Sequence, residues 1–134
     1  MKSKKLPQSD LTVWAIDDDE INLDIMRDLL DQLGVTSVQA MSHSRKAMGL
    51  LETTTNPPDV IILDIYMPDM DGIEFMTELA KRQFAGGLIL VSGVNIEMLD
   101  LARQLATESG MNVLAAMEKP IQLSELARAM GLDL

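Results

Sequence analysis

Four short segments of the sequence place polar groups directly after apolar runs. An acidic quartet, 17–20 (DDDE), follows the first apolar run, and Asp64 follows the apolar run 60–63. Ser92 and Lys119 come after two later apolar runs. Buried charges are costly unless they are paired or bind a metal, so charged groups at such positions indicate a site rather than packing.

Brought together, these groups would support phosphoryl chemistry. Carboxylates held close to one another have raised pKa values unless a cation neutralises them. Oxygen ligands without His or Cys favour a hard cation, and a few carboxylates with room for water suit Mg²⁺ better than Ca²⁺. A carboxylate beside Mg²⁺ and a lysine can attack phosphorus, because both cations screen the phosphoryl oxygens. We therefore predict a Mg²⁺ site with a phosphorylatable aspartate, and Asp64 is the best placed between the acidic quartet and Lys119.

The elements that must position these groups alternate along the chain. Five apolar runs start at Leu11, Val35, Val60, Leu88 and Met111, and each is followed by apolar residues spaced three and four apart. This pattern predicts an α/β fold, a doubly wound parallel sheet covered by helices on both faces, with the polar second strand at an edge. The residues that follow the strands of such a sheet meet at one edge, where the fold places its sites.

The first predicted helix has the clearest periodicity. Ile21, Ile25, Leu29 and Leu33 recur at every fourth residue, with Gly34 placed to end the helix. Met26 and Leu30 lie beside them, and we interpret the six residues as one apolar face.

Composition limits the classes of function. The 134 residues suit one domain, and we expect 1–10 to be a flexible N-terminal tail before a domain at 11–134. The net charge of -10 disfavours direct binding to nucleic acid or to anionic membranes. Without cysteine, thiolate metal sites and cysteine nucleophiles are excluded. No apolar run approaches the ~20 residues of a membrane helix, so we expect a soluble, cytoplasmic protein.

Four motifs occur in a characteristic order and spacing. They are 16–19 (IDDD), 63–72 (LDIYMPDMDG), 92–93 (SG) and 118–121 (EKPI). By these motifs, the chain resembles the CheY-like receiver domain of two-component response regulators, to which we assign 11–134. The resemblance implies the flavodoxin-like receiver fold, in which five parallel strands in the order 2-1-3-4-5 are flanked by five helices.

The resemblance also implies a phosphoacceptor and a metal site. By position, Asp64 accepts a phosphoryl group from a sensor histidine kinase or a phosphotransfer protein, in a Mg²⁺-dependent reaction. Asp17 and Asp18 are the acidic pair, and Asp18 is the direct metal ligand together with Asp64. The backbone carbonyl of Tyr66 completes the metal site. Such a domain is a signalling module rather than an enzyme.

The same resemblance assigns a switch. Ser92 is the switch hydroxyl, Lys119 contacts the phosphoryl group, and the bond from Lys119 to Pro120 is expected to be cis. Ala116 departs from the family, because many receivers carry there an aromatic ring that swings inward. The stretch 92–105, followed by Gly110, Val113, Leu114 and 118–120, is similar to receivers fused to EAL-type cyclic-di-GMP phosphodiesterase domains, which implies a fused or separate effector.

An alternative from another class is a small haloacid dehalogenase-type phosphatase. Such enzymes use a strand-end aspartate with a second aspartate two residues later, and Asp17 and Asp19 imitate that pair. The Gly-Thr that follows in those enzymes is replaced by Glu20 and Ile21, and the chain is too short for a substrate cap domain. We therefore favour the receiver.

Overall fold

The computed structural model describes residues 10–66, 72–93 and 96–132. Nearly all of the predicted tail, 1–10, and residues 67–71 of the third-strand motif therefore lie outside the described residues. Among the described helices, none is both long enough and apolar enough to cross a lipid bilayer. The elements alternate along the chain as β1 Thr12–Ile16, α1 Glu20–Gln32, β2 Ser37–Met41, α2 Ser44–Thr53, β3 Val60–Asp64, α3 Gly72–Lys81, β4 Gly87–Ser92, α4 Ile96–Glu108, β5 Asn112–Glu118 and α5 Leu123–Met130.

The five strands form one parallel sheet in the order β2-β1-β3-β4-β5. The predicted fold class and strand order are confirmed, with the polar strand β2 at one edge. The predicted strands are displaced from the observed ones by only one or two residues at their ends, where hydrogen bonding rather than side-chain pattern decides the boundary.

The register of the sheet aligns the strand ends that carry polar groups. Ile16 pairs with Leu63, so the residues that follow them, Asp17 and Asp64, lie side by side. Asp64 pairs with Val91, the residue before Ser92. Ser92 in turn pairs with Glu118, the residue before Lys119. Three consecutive register pairs therefore bring residues from four strands to one edge of the sheet.

Two hydrophobic clusters hold the sheet between its helices. Strand residues alternate between the clusters, so that Trp14 and Ile16 pack with α2, α3 and α4, whereas Val13 and Ala15 pack with α1 and α5. Full burial of one large aliphatic side chain contributes about 1.5–3 kcal/mol, which makes these clusters the main source of rigidity for the strand ends.

The buried face of α1 matches the predicted one at Met26, Leu30 and Leu33 but not at Ile21 and Ile25. Leu23, Met26 and Leu30 are buried, whereas Ile21 and Ile25 are 70% and 42% exposed. The reason is geometric, because a helix turns about 100° per residue and a strict four-residue repeat therefore drifts by about 40° at each step. The predicted stripe winds around the helix and only its C-terminal end faces the core.

β5 contains one extra residue relative to β4. Leu88 pairs with Val113 but Ile89 pairs with Ala115, so Leu114 lies in a bulge. Leu114 and Ala115 consequently pack against the same cluster, on the side of α1 and α5. Gly87 leaves room for the bulge, because a side chain at Gly87 would overlap that of Leu114.

Candidate functional site

A cavity of about 270 Å³ opens at the carboxyl edge of the sheet. It lies between the loops that follow β1, β3, β4 and β5, where the register pairs converge. Most of the predicted site residues belong to its lining, which consists of Asp17, Asp18, Asp19, Asn22, Asp64, Tyr66, Gly93 and Lys119.

Three carboxylates meet in this cavity. One oxygen from each of Asp17, Asp18 and Asp64 lies within 4.8 Å of the other two. Asp17 is fully buried and Asp64 is 3% exposed, whereas Asp18 faces solvent. A cluster made only of oxygen ligands, open to water on one side, is compatible with a hard divalent cation such as Mg²⁺.

The two oxygens of Asp17 are held differently. Oδ1 accepts a hydrogen bond of 2.9 Å from the backbone N–H of Asp19. Oδ2 is buried and has no hydrogen-bond partner among the described residues, although Nζ of Lys119 lies 2.7 Å away as an ion pair. Oδ2 is thus held by the positive charge of Lys119 and not by a backbone donor. A buried carboxylate oxygen in such surroundings fits a site that binds positive charge.

Lys119 bridges two of the carboxylates. Its Nζ lies 2.7 Å from Oδ2 of Asp17 and 3.6 Å from Oδ2 of Asp64, and its side chain is only 18% exposed. The backbone positions this residue, because the N–H of Lys119 donates to the carbonyl of Ser92 over 2.9 Å. The bond from Lys119 to Pro120 is cis, as the motif led us to expect.

Ser92 and Tyr66 take different places around the cavity. Ser92 is buried at the end of β4, and the next residue, Gly93, lines the cavity in its stead. Tyr66 lines the cavity with an exposed ring, and its backbone N–H donates to Oδ1 of Asp64 over 3.3 Å. Asp19 caps α1 by accepting a hydrogen bond from the N–H of Ile21, which restricts its carboxylate to a structural role.

Asn22 was not among the predicted site residues, although it lines the cavity from the first turn of α1. One signal in the sequence could have identified it. Asn22 lies four positions before Met26, on a side of the helix where an apolar residue is expected.

The environment of Asp64 disfavours its charged form. Burial raises the pKa of its carboxyl from 3.8 to about 7, and the nearby charge of Asp17 adds to the increase. The ammonium of Lys119 and the N–H of Tyr66 lower the pKa but do not offset burial. Without a bound cation, Asp64 therefore carries its proton over much of the acidic range.

We expect the metal-free protein to lose stability as the pH rises from about 4 to about 7. Over that window the folded state binds more protons than the unfolded state, because the pKa of Asp64 is higher in the fold. The free energy of unfolding then decreases with increasing pH, by an amount on the order of a few kcal/mol. Urea unfolding in EDTA at several pH values, compared between the parent and Asp64→Asn, isolates this contribution. An equal pH dependence in the two proteins would contradict it.

The sequence profile of the response regulator receiver domain matches residues 13–131. The chain belongs to this family. The match spans all five strands except the first residue of β1, in agreement with the predicted resemblance.

Individual relatives of this receiver domain support the assignment. The chain is 36% identical over 110 residues to the sensor histidine kinase CheAY of Helicobacter pylori, covering 82% of this chain and 13% of the relative. It is 32% identical over 114 residues to the KDP operon transcriptional regulatory protein KdpE of Escherichia coli, covering 85% and 47%. The receiver domain thus spans less than half the length of these two relatives.

Solved structures of receiver domains are also similar. A response regulator from Colwellia psychrerythraea is 35% identical and superposes with a TM-score of 0.74, covering 87% of this chain and 90% of that one. A response regulator receiver domain protein from Clostridium thermocellum is 25% identical, with a TM-score of 0.76 and coverages of 90% and 91%. This receiver domain is accordingly a signalling domain of the phosphoacceptor type.

Proposed function

We propose that this receiver domain is phosphorylated on Asp64 in a Mg²⁺-dependent reaction. The observation that carries the proposal is the approach of Asp17, Asp18 and Asp64 within 4.8 Å, with Nζ of Lys119 against two of them. Asp64 is the carboxylate that contacts Lys119 while lying on the strand between the acidic pair and Ser92.

The cation would be held by Asp18, Asp64 and the backbone carbonyl of Tyr66, with Asp17 as the second member of the acidic pair. When bound, Mg²⁺ supplies positive charge that neutralises the carboxylates and screens the phosphoryl oxygens. The buried Oδ2 of Asp17 supports this assignment, since it brings negative charge into the cavity and is held there by an ion pair with Lys119 and not by a backbone donor. Neutralisation also favours the ionised form of Asp64, which is the nucleophilic form.

The chemical step is a displacement at phosphorus. A carboxylate oxygen of Asp64 attacks the phosphorus of a phosphohistidine, and the bond between phosphorus and the imidazole nitrogen breaks. The imidazole leaves with the electron pair of that bond and takes up a proton. The donor is a sensor histidine kinase or a phosphotransfer protein, and the product is an aspartyl phosphate.

Lys119 and Ser92 would read the phosphorylated state. The ammonium of Lys119 lies 3.6 Å from Oδ2 of Asp64 and can follow the new phosphoryl oxygens once the ion pair with Asp17 is released. Ser92 lies at the end of β4 and its backbone carbonyl holds the N–H of Lys119, so a movement of either residue is transmitted to the other. With Ala116 in place of a ring, the signal would leave through the backbone and α4 rather than through a rotating side chain. We also propose that the receiver domain comprises 11–134. Its signal would pass to a fused or separate effector, which could be of the EAL type.

The haloacid dehalogenase-type reading is less well supported. It requires the carboxylate of Asp19 as an acid, but Oδ1 of Asp19 already accepts the hydrogen bond that begins α1. It also requires Asp17 as the nucleophile, yet Asp17 is fully buried and paired with Lys119.

Incubation with acetyl phosphate tests the two functions against each other. We expect one phosphoryl group per chain, located on Asp64 by peptide mass spectrometry, and formed with Mg²⁺ but not with EDTA. The matched measurement is steady release of phosphate from p-nitrophenyl phosphate. Turnover of that ester, lost in Asp17→Asn and retained in Asp64→Asn, would overturn the receiver function in favour of the phosphatase.

A further inference from the structure

Asn22 places a carboxamide where the packing of α1 calls for an apolar side chain. It lies one helical turn before the buried Met26, and the same stripe continues through Leu30 and Leu33 toward the core. Asn22 itself is half-buried, and it faces the cavity of the three carboxylates. The place of Asn22 on the helix is fixed locally, because α1 begins where Asp19 accepts a hydrogen bond from the N–H of Ile21.

The amide of Asn22 has no hydrogen-bond partner within 10–66, 72–93 and 96–132. Its side chain makes no hydrogen bond to another described residue, whereas Asp17, Asp19 and Asp64 each accept one from the backbone. A half-buried carboxamide offers two donors and an acceptor, and leaving them without a protein partner costs free energy. Such a residue is consistent with a ligand that is bound in the cavity.

The charges of the cavity explain why this residue is an amide. The carboxylates of Asp17, Asp18 and Asp64 meet one ammonium there, and Asp19 also lines the cavity, so the site is acidic even with one divalent cation bound. A further carboxylate at position 22 would only add to this acidic surplus, and an apolar residue would provide no hydrogen bond. A carboxamide adds hydrogen-bonding capacity without adding charge.

We propose that Asn22 is a positioning residue for the water shell of the divalent cation. This inference rests on the proposed Mg²⁺-dependent function. Mg²⁺ retains several of its waters in protein sites, and those waters need acceptors around them. Asn22 stands on the side of the cavity formed by β1 and α1, which is the side of Asp17 and Asp18 rather than that of Ser92 and Lys119. Its amide oxygen would accept a hydrogen bond from a water of the cation.

Isothermal titration of the full chain with MgCl₂ tests the proposal. In Asn22→Leu, which keeps the shape of the side chain but removes both polar groups, we expect Mg²⁺ affinity to fall at least about tenfold, as is typical when residues around metal ligands are changed. In Asn22→Asp, which keeps an acceptor oxygen, affinity should equal or exceed that of the parent. Gln32→Leu is the matched control, because it removes a carboxamide from the exposed far end of the same helix.

Thermal unfolding in EDTA separates this role from a structural one. We expect Asn22→Leu to melt no lower than the parent without metal, since a leucine suits the core side of α1, but to gain less stability from added Mg²⁺. Affinity within twofold of the parent in Asn22→Leu, or a tenfold loss in Asn22→Asp, would overturn the role of Asn22 while leaving phosphorylation of Asp64 intact. A parent chain that binds no Mg²⁺ would instead overturn the proposed function, and this inference with it.

Discussion

Asp64→Asn is expected to abolish phosphorylation by acetyl phosphate or phosphoramidate while leaving the protein folded. The amide keeps the shape of the side chain, so the packing at the end of β3 is preserved. The nitrogen and carbonyl oxygen of the amide are far weaker nucleophiles than a carboxylate. The measurement is the intact mass of the chain after incubation with the donor and Mg²⁺.

The same substitution should raise stability without metal at pH 8. At that pH Asp64 is ionised in spite of its burial beside Asp17, and the neutral amide removes this unfavourable charge. Asp31→Asn serves as the control, because it removes an exposed carboxylate at the far end of α1. A full phosphoryl group on Asp64→Asn, mapped to any residue of the cavity, would show that the acceptor had been wrongly assigned.

Gly72→Ala is expected to destabilise the fold by about 3 kcal/mol or more, at the upper end of the cost of overpacking. A Cβ atom at Gly72 would overlap the Cα atom of Ile65 and would lie 2.7 Å from the carbonyl oxygen of Asp64. These are backbone atoms, which cannot rotate away as a side chain can. The N–H of Gly72 also donates to the carbonyl of Ile65 over 3.2 Å, so the start of α3 is held against the strand end.

Urea unfolding of Gly72→Ala measures this cost, and Gly49→Ala is the matched control. Gly49 is an exposed glycine within α2, and a Cβ atom there would meet nothing within 4 Å. Alanine at that position should stabilise the protein by about 0.5–1 kcal/mol through its better helix propensity. The steric argument fails if the two variants are equally stable. Because the overlap falls on the backbone that carries Asp64, we also expect Gly72→Ala to be phosphorylated more slowly at temperatures where it remains folded.

The placement of Asp17, Asp64 and Lys119 could be predicted because a parallel sheet leaves little freedom at its strand ends. Once the apolar runs are assigned to one sheet, the residues that follow them must meet at its carboxyl edge. The motifs then add the roles of Ser92 and Tyr66, which geometry alone would not distinguish from other polar residues at that edge.

Details that depend on rotation around an element were less predictable. Ile21 and Ile25 repeat at four residues but turn away from the core, because the helical period is shorter than four. Asn22 was missed for the related reason that the cavity lies at the border of the buried face, where small changes of helix rotation decide which side chain enters. Burial of Asp64 and the pKa that follows from it depend on the packing of several helices, and a linear pattern does not contain that information.

The bulge at Leu114 links the spacing of residues in β5 to the direction in which Lys119 points. Successive side chains along a strand project to opposite faces of the sheet. One additional residue therefore exchanges the faces to which all the later side chains of that strand project. The ammonium reaches Asp17 because this inversion occurs five residues upstream of it. Consider a hybrid domain that exchanges the C-terminal part of this chain with that of another receiver. The junction must then be chosen so that the number of residues between it and the lysine is preserved. A junction placed by counting forward from β4 would retain all four motifs and still turn the ammonium of Lys119 away from Asp17 and Asp64.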